Sequence, residues 1–315
     1  MRSTVRHNRS MKRILGLLLG VVLTFLPAVI SRAEEKIVVA SKIDTEGALL
    51  GNMIVAVLEA HGLKVDNKLQ LGPTNIVRAA LLAGQIDLYP EYTGNGALFF
   101  HLEEDPVWKD WAKGAAKVAA LDREKNQLAW LAPAPANNTW VIAVRRDLAE
   151  RHSLATMGDF AKYLAAGGQI KLAASAEFVE SPSALPAFEE TYGFRLKDTQ
   201  LLTLSGGNTS ATLRAAAEGM SGVNAAMAYG TDGALAALGL SALKDDKGAQ
   251  VVYAPAPVVR ETVLKQHPEI ATVLDPVFAS LTLETFQKLN AAVAVDGEDA
   301  GAVAVAYLKS KHLLP

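Results

Sequence analysis

The sequence predicts an α/β protein of two lobes with a ligand cleft between them. Three observations carry this. Short apolar strands alternate with helices for most of the chain, the pattern of sheets with parallel strands. About 282 residues remain once a leader is set aside from the 315, more than a single core usually holds. Finally, one segment occurs twice in loosely similar form, Leu69–Gly96 and Leu202–Gly233. Each copy has an alternating apolar stretch (Leu69/Leu71, Leu202/Leu204), a turn with Asn75 or Asn208, a helix with Arg78 or Arg214 before two alanines, and a tyrosine, Tyr92 or Tyr229, next to Gly and Thr. Strand–helix–strand units bind ligands beyond the carboxyl ends of their strands, so two copies ending in an aromatic suggest two half-sites facing one ligand.

In chain order, Lys36–Ser41 reads as a buried strand and Glu46–His61 as a helix stopped by Gly62. Leu69–Leu71, a helix over Asn75–Ala83 and a strand at Ile86–Tyr89 follow. The spacing of Trp108, Trp111, Ala115, Val118 and Leu121 predicts one helix over Pro106–Asn126, before a strand at Leu128–Leu131. Pro133-Ala134-Pro135 then interrupts the pattern ahead of a strong strand, Thr139–Arg145. Helices at Met157–Ala166 and Ser183–Tyr192 flank a strand at Ile170–Ala174, and the second copy follows. A second proline step, Ala254-Pro255-Ala256-Pro257, precedes Val258–Arg260. Beyond it the pattern is wholly helical: Glu261–His267, Glu269–Ser280, Leu283–Ala294 and Glu298–Lys311. Two proline steps suit a chain that leaves one lobe and returns. The expected first lobe is 34–135 plus 255–315, and the second is 136–254.

Residues 1–33 have the layout of a cleavable secretory signal peptide. Arg2, Arg6, Arg9, Lys12 and Arg13 precede a 17-residue apolar run, Ile14–Ile30, and Ser31-Arg32-Ala33 supplies small residues for cleavage. A membrane anchor is the alternative, but the run is at the lower limit for a spanning helix and contains Pro27 near its end. The chain has no cysteine, which excludes disulfides, thiol catalysis, thiolate metal sites and a lipoprotein anchor. Export without disulfides suits a bacterial periplasm. Removing the six leader bases from 31 leaves 25 against 33 acidic residues, a net −8. No basic cluster survives, so nucleic acid is not an expected partner.

Motifs of chemistry are absent: no HExxH, GxSxG, GxxxxGK[ST] or GxGxxG. The six histidines are scattered singly, so neither a metal nor a cofactor is expected. Asp87 and Glu91 could pair, but carboxylates at strand ends more often serve turns and caps. The positive signal is aromatic. Tyr92, Trp140, Tyr229 and Tyr253 stand at predicted strand ends and crossings beside Gly, Asn or Pro, whereas Trp108, Trp111, Phe160, Phe188 and Phe278 have the mid-element surroundings of core residues. Covering a strand end is the plain alternative for the first four. The sequences 93–96 (TGNG) and 230–233 (GTDG) read as helix starts, whose free N–H groups can hold an anionic ligand group.

The segments SKIDTEG (41–47), IDLYPEYTGNG (86–96), APANNTWVIAVR (134–145), YGTDG (229–233) and YAPAPVVR (253–260) resemble the quaternary-amine branch of ABC-transporter substrate-binding proteins, which bind glycine betaine, choline and carnitine. The resemblance spans the chain after the leader. It implies the two-lobe periplasmic-binding-protein fold of type II, an ABC permease as partner, a monomer, and no enzymatic activity. It further implies a trimethylammonium box of Tyr92, Trp140, Tyr229 and Tyr253, with the Asn138 backbone facing the cation, and Lys42 and Asn95 on the ligand carboxylate. One block departs from the pattern. Glu177-Phe178-Val179-Glu180-Ser181 has Ser181 where the family carries an arginine for that carboxylate, a loss of about 1.5–3 kcal/mol on the scale of a charged hydrogen bond. Physics favours such a box independently: a quaternary ammonium has no N–H to donate, while aromatic faces attract it by about 0.5–2 kcal/mol per contact. Two other readings keep the scaffold: a site for an amino acid or other small zwitterion, and an exported choline-ester hydrolase.

Overall fold

A computed structural model describes residues 36–204 and 209–314. The expected leader and Asn208 lie outside the described residues. From the start the order is β1 (Ile37–Lys42), α1 (Thr45–Ala60), β2 (Val65–Gly72), α2 (Thr74–Leu82), β3 (Leu88–Tyr92), α3 (Gly96–Phe100), α4 (Trp111–Asn126) and β4 (Leu128–Trp130). The middle contains β5 (Trp140–Arg145), α5 (Arg146–His152), α6 (Met157–Ala165), β6 (Leu172–Ser175), α7 (Ala176–Glu180), α8 (Leu185–Tyr192), β7 (Leu201–Leu204), α9 (Thr209–Ala217), β8 (Ala225–Tyr229), α10 (Ala234–Ala237) and β9 (Leu240–Ala242). The last part is β10 (Pro255–Arg260) followed by α11 (Glu261–Gln266), α12 (Glu269–Ser280), α13 (Leu283–Ala294) and α14 (Ala300–Ser310).

Two five-stranded sheets form, in the orders β2-β1-β3-β10-β4 and β7-β6-β8-β5-β9. The orders are equivalent strand for strand, which gives the repeated segment its meaning. Its copies are β2-α2-β3 and β7-α9-β8, and they flank β1 and β6 in the same way. The echoed arginines diverge. Arg78 is buried in a two-pronged pair with Asp122, whereas Arg214 is exposed.

The sheets are mixed: the expected parallel strands are present, and antiparallel ones join them. β1 pairs in parallel with β2 and β3, and β6 with β7 and β8. β10 is antiparallel to β3 and β4, and β5 to β8 and β9. β5 and β10 are the strands that enter after a crossing, so each starts at the edge where its neighbour ends. The two crossings run side by side. The Asn138 N–H donates to the Tyr253 carbonyl at 3.0 Å, the Tyr253 N–H to Asn137 Oδ1 at 2.8 Å, and the Thr139 hydroxyl to the Val251 carbonyl at 2.7 Å.

The apolar pattern explains the packing. Leu49, Leu50, Met53, Ile54, Val57 and Leu58 of α1 are all buried, because this helix is covered by the first sheet on one side and by α12, α13 and α14 on the other. The wholly helical end of the chain therefore packs around α1, on the side away from the first sheet. Around the second sheet, one core includes Phe160, Phe178 and Phe188, and the other face is covered by α9 and α10.

Two element readings change. The helix expected over Pro106–Asn126 is a short 3-10 turn, Pro106–Lys109, and then α4. Asp110 breaks it by taking an extended conformation and accepting the Lys113 N–H at 3.0 Å as an N-cap. Trp111 is consequently at the first position of α4 and 42% exposed, while Trp108, Phe160, Phe188 and Phe278 are buried. The helix starts at 93–96 and 230–233 lead only into the very short α3 and α10, too short for a strong dipole.

Candidate functional site

The strand geometry concentrates aromatics at one edge of each sheet. Tyr92 ends β3 opposite Pro255, two residues after Tyr253. Tyr229 ends β8 directly opposite Trp140, the first residue of β5. The two sheets present these edges to one another across a cleft of about 590 Å³. Tyr92, Trp140, Tyr229, Tyr253, Lys42, Asn95 and Asn138 all line it. No helix among the described residues is long and apolar enough to cross a membrane.

The aromatics differ in how their faces are used. Trp140 and Tyr229 stack on each other, with ring centroids 4.3 Å apart and 22° between planes. Phe178 of α7 abuts Trp140 edge-on at 5.5 Å, fixing the stack from behind. The Tyr92 ring has the Lys42 ammonium 4.4 Å from its centroid and donates its hydroxyl to Glu46 Oε1 at 2.8 Å. Tyr253 lies against Gly94, where a Cβ would be 2.7 Å from its ring, so only glycine lets the 93–96 turn approach. Burial holds the phenols of Tyr92, Tyr229 and Tyr253 above the ordinary tyrosine range, with nearby carboxylates adding to this at Tyr92 and Tyr229.

Lys42 and Asn95 converge on one group inside the protein. The Lys42 ammonium is paired with Glu91, and Asn95 Nδ2 donates to the same Glu91 Oε1 at 2.7 Å. Glu91 is fully buried in β3 and also accepts the Tyr89 hydroxyl and the Tyr92 N–H, each at 2.7 Å. Asp87 instead accepts the Val38 N–H at 2.9 Å and pairs with Arg260 at 3.0 Å. Glu91 thus serves the interior of the first sheet, and Asp87 ties β1 to Arg260 at the end of β10.

Ser181 is placed apart from these residues. It follows α7 in an extended conformation, its hydroxyl is 3.0 Å from that of Ser183, and it is not among the residues lining the cleft. Ser181 is the C-cap of α7, and it is Phe178 of the same helix that abuts Trp140.

The cleft also contains residues that sequence reasoning missed: Asp44, Glu46, Thr209, Thr231, Asp232 and Asn290. Glu46 is their centre. Besides Tyr92, it accepts from Asn138 Nδ2 at 3.2 Å and from Asn290 Nδ2 at 2.7 Å. Burial pushes its carboxyl above the usual range, against opposing hydrogen bonds from Thr231, Tyr92 and Asn290, and the charge of Asp44 adds to the rise. Asp232 is raised by burial too, opposed by the Tyr229 N–H and Thr209. Glu46, Thr231 and Asp232 were within reach, since they stand in the SKIDTEG and YGTDG blocks. Asn290 comes from a helical run with no motif. The second lobe leans on that helix: Asn290 Nδ2 donates to the Thr231 carbonyl at 3.0 Å and Gln287 Nε2 to the Gly230 carbonyl at 2.8 Å.

Residues 35–310 match the family described as the substrate-binding domain of ABC-type glycine betaine transport systems. The chain belongs to this family. Among its relatives, the glycine betaine-binding protein YehZ of Escherichia coli is 59% identical over 280 residues, covering 89% of this chain and 92% of that protein. The glycine-betaine-binding protein of Pseudomonas aeruginosa is 32% identical over 287 residues, covering 89% of each. The solved structure of apo YehZ superposes with a TM-score of 0.84 over 89% of this chain and 99% of that one. As a family member, the chain has the two-lobe α/β fold of periplasmic binding proteins and belongs with substrate-binding transport proteins rather than enzymes.

Proposed function

We propose that this protein is the periplasmic, monomeric binding component of an ABC importer for quaternary-amine osmoprotectants such as glycine betaine or choline. The trimethylammonium group rests in the cleft against Tyr92, Tyr253 and the outer face of the Trp140–Tyr229 stack, with the Asn138 backbone beside it. The observation that carries this reading is the convergence of four aromatics from both lobes on one cleft. A quaternary ammonium offers nothing to accept, and aromatic faces recognise it through their quadrupole. Aromatics drawn from two lobes also couple occupancy to closure, since a ligand stabilises the closed form only through contacts it gains there. The permease then distinguishes loaded from empty protein by shape.

The ligand carboxylate, where there is one, has Lys42 and Asn95 within the cleft, but both are already engaged by Glu91. This supports a modest contribution from the carboxylate end and a dominant one from the cation. A second reading, a small zwitterion with N–H donors, is favoured by two buried acceptors at the cleft, Asn138 Oδ1 and Asn290 Oδ1, which have no hydrogen-bond partner among the described residues.

Calorimetric titration of the protein lacking residues 1–33 with glycine betaine, choline, carnitine, proline betaine and a set of amino acids separates the two. Heat with quaternary amines, accompanied by a change in Trp140 fluorescence, is the expected result. Heat only with amino acids would replace the first reading by the second.

A further inference from the structure

We propose that Glu46 is the counter-charge of the bound cation, a carboxylate set into the base of the aromatic cleft that selects a positively charged head over a neutral one of the same shape. The inference deepens the quaternary-amine reading and rests on it.

Glu46 is 5% exposed, yet it lines the cleft. Its hydrogen-bond donors are Tyr92, Asn138, Asn290 and Thr231, all neutral, and no Lys, Arg or His bonds it among the described residues. The nearby lysine, Lys42, is committed to Glu91. Other buried acids of the protein have cations: Asp122 has Arg78, Glu91 has Lys42 and Glu189 has Arg195. A buried charge without a partner is costly, and a fold that only needed an acceptor here could use an amide.

The surroundings add negative character. Asp44, which caps α1 by accepting the Gly47 N–H at 2.7 Å, lines the same cleft, as does Asp232. The two unpartnered amide oxygens, Asn138 Oδ1 and Asn290 Oδ1, belong to the residues whose amide nitrogens hold Glu46. The site is therefore rich in acceptors and poor in free cations, and the aromatic faces around it have the same electrostatic preference. A cation entering the cleft gives Glu46 the partner that the protein does not supply, and the low dielectric there strengthens the attraction.

The test compares three ligands of similar shape: choline, glycine betaine, and 3,3-dimethylbutan-1-ol, the uncharged carbon analogue of choline. Each is titrated against wild type, Glu46→Gln and Glu46→Asp, with thermal unfolding to verify folding. Glu46→Gln is expected to weaken choline about tenfold or more, the scale of a lost buried charge partner. Betaine loses less, because removing Glu46 also removes repulsion of the ligand carboxylate, and the alcohol changes less than about twofold. Glu46→Asp, which keeps the charge, retains part of the choline affinity. Unchanged choline binding in Glu46→Gln would overturn the proposal. So would an equal loss for all ligands, since that would mean Glu46 merely positions Tyr92 and Asn138. If wild type binds no quaternary amine at all, the failure is that of the aromatic-cleft reading itself.

Discussion

Trp140 and Tyr229 are cross-strand partners in β5 and β8, and their rings stack 4.3 Å apart. They consequently act as one wall of the cleft, with a single outward face each, rather than as two jaws that could close on a cation. Stacked aromatic pairs are worth about 0.5–1.5 kcal/mol beyond area burial, so the wall is fixed before a ligand arrives. Tyr92, at the end of β3, and Tyr253, at the crossing just before β10, line the same cleft.

This arrangement sets the first prediction. Trp140→Ala should weaken quaternary-amine binding by about 1–2 kcal/mol, from one lost cation–π face and a Tyr229 freed to move. Trp140→Phe should recover most of it. Calorimetry on the two variants measures the difference; equal losses in both would mean that the ring face is not what the ligand uses.

The Lys42–Glu91 pair sets the second. Both residues are almost fully buried, and removing one partner leaves the other uncompensated. Lys42→Met should therefore cost about 3–5 kcal/mol of stability, read by urea unfolding. Glu91→Gln should act differently on binding. It releases the Lys42 ammonium and Asn95 towards the cleft, so betaine should gain relative to choline. A betaine-to-choline affinity ratio equal to that of wild type would show that Lys42 does not meet the carboxylate.

Glu46 and pH give the third. Its carboxyl is raised in the folded protein chiefly by burial, so the folded state holds this proton more tightly than the unfolded state. Where the folded state binds more protons, stability falls as pH rises. The stability of wild type relative to Glu46→Gln should accordingly decline as pH rises from the ordinary glutamate value, 4.5, through the higher folded value, and level off above it. Asp44 and Asp232 face the same cleft in both proteins, so the difference isolates Glu46. Denaturant unfolding of the pair across pH 4–8 measures this; a difference independent of pH would mean that Glu46 is not raised.

Ser181 gives the fourth. Ser181 lies outside the cleft lining, but an arginine is long. Ser181→Arg should tighten betaine more than choline, by up to about 1.5–3 kcal/mol if a full charged hydrogen bond forms. Equal effects on both ligands would show that this position does not reach the carboxylate when the lobes close.

Much of the fold was legible because it is local. Alternation and helical period located many of the strands and helices, though not α5, α7 or β9, and the repeated segment reflected two equivalent sheets. The antiparallel entry of β5 and β10 was not legible, because strand direction depends on which sheet a crossing joins, a property of the whole chain. Trp111 misled because its spacing matched the apolar face, while Asp110 restarted the helix just before it. At the site, aromatics beside turns were visible as a pattern. Glu46 was not, since an acidic residue in the first turn of a helix ordinarily serves the helix dipole. One of the groups enclosing it is Asn290, which arrives from 244 positions away.

The seat of the second lobe on α13 gives the last prediction. Gly233 has ordinary helical torsions, φ −66° and ψ −29°, so glycine is not needed there for its conformational freedom. It is needed for space: a Cβ would stand 2.1 Å from the backbone nitrogen of Ala291 and 2.5 Å from its Cα. Backbone cannot yield as a side-chain tip can, so Gly233→Ala must push the 230–233 turn off α13. That separates Asn290 from the Thr231 carbonyl and Gln287 from the Gly230 carbonyl, and it withdraws Thr231 from Glu46. Overpacking of this kind costs about 1–3 kcal/mol. Because the contact joins the two lobes, the loss should appear as a wider cleft and weaker ligand binding as well as a lower unfolding midpoint. Small-angle scattering on ligand-free Gly233→Ala should give a larger radius of gyration than wild type. An unchanged radius together with a lower midpoint would place the strain inside the second lobe instead of at the contact between lobes.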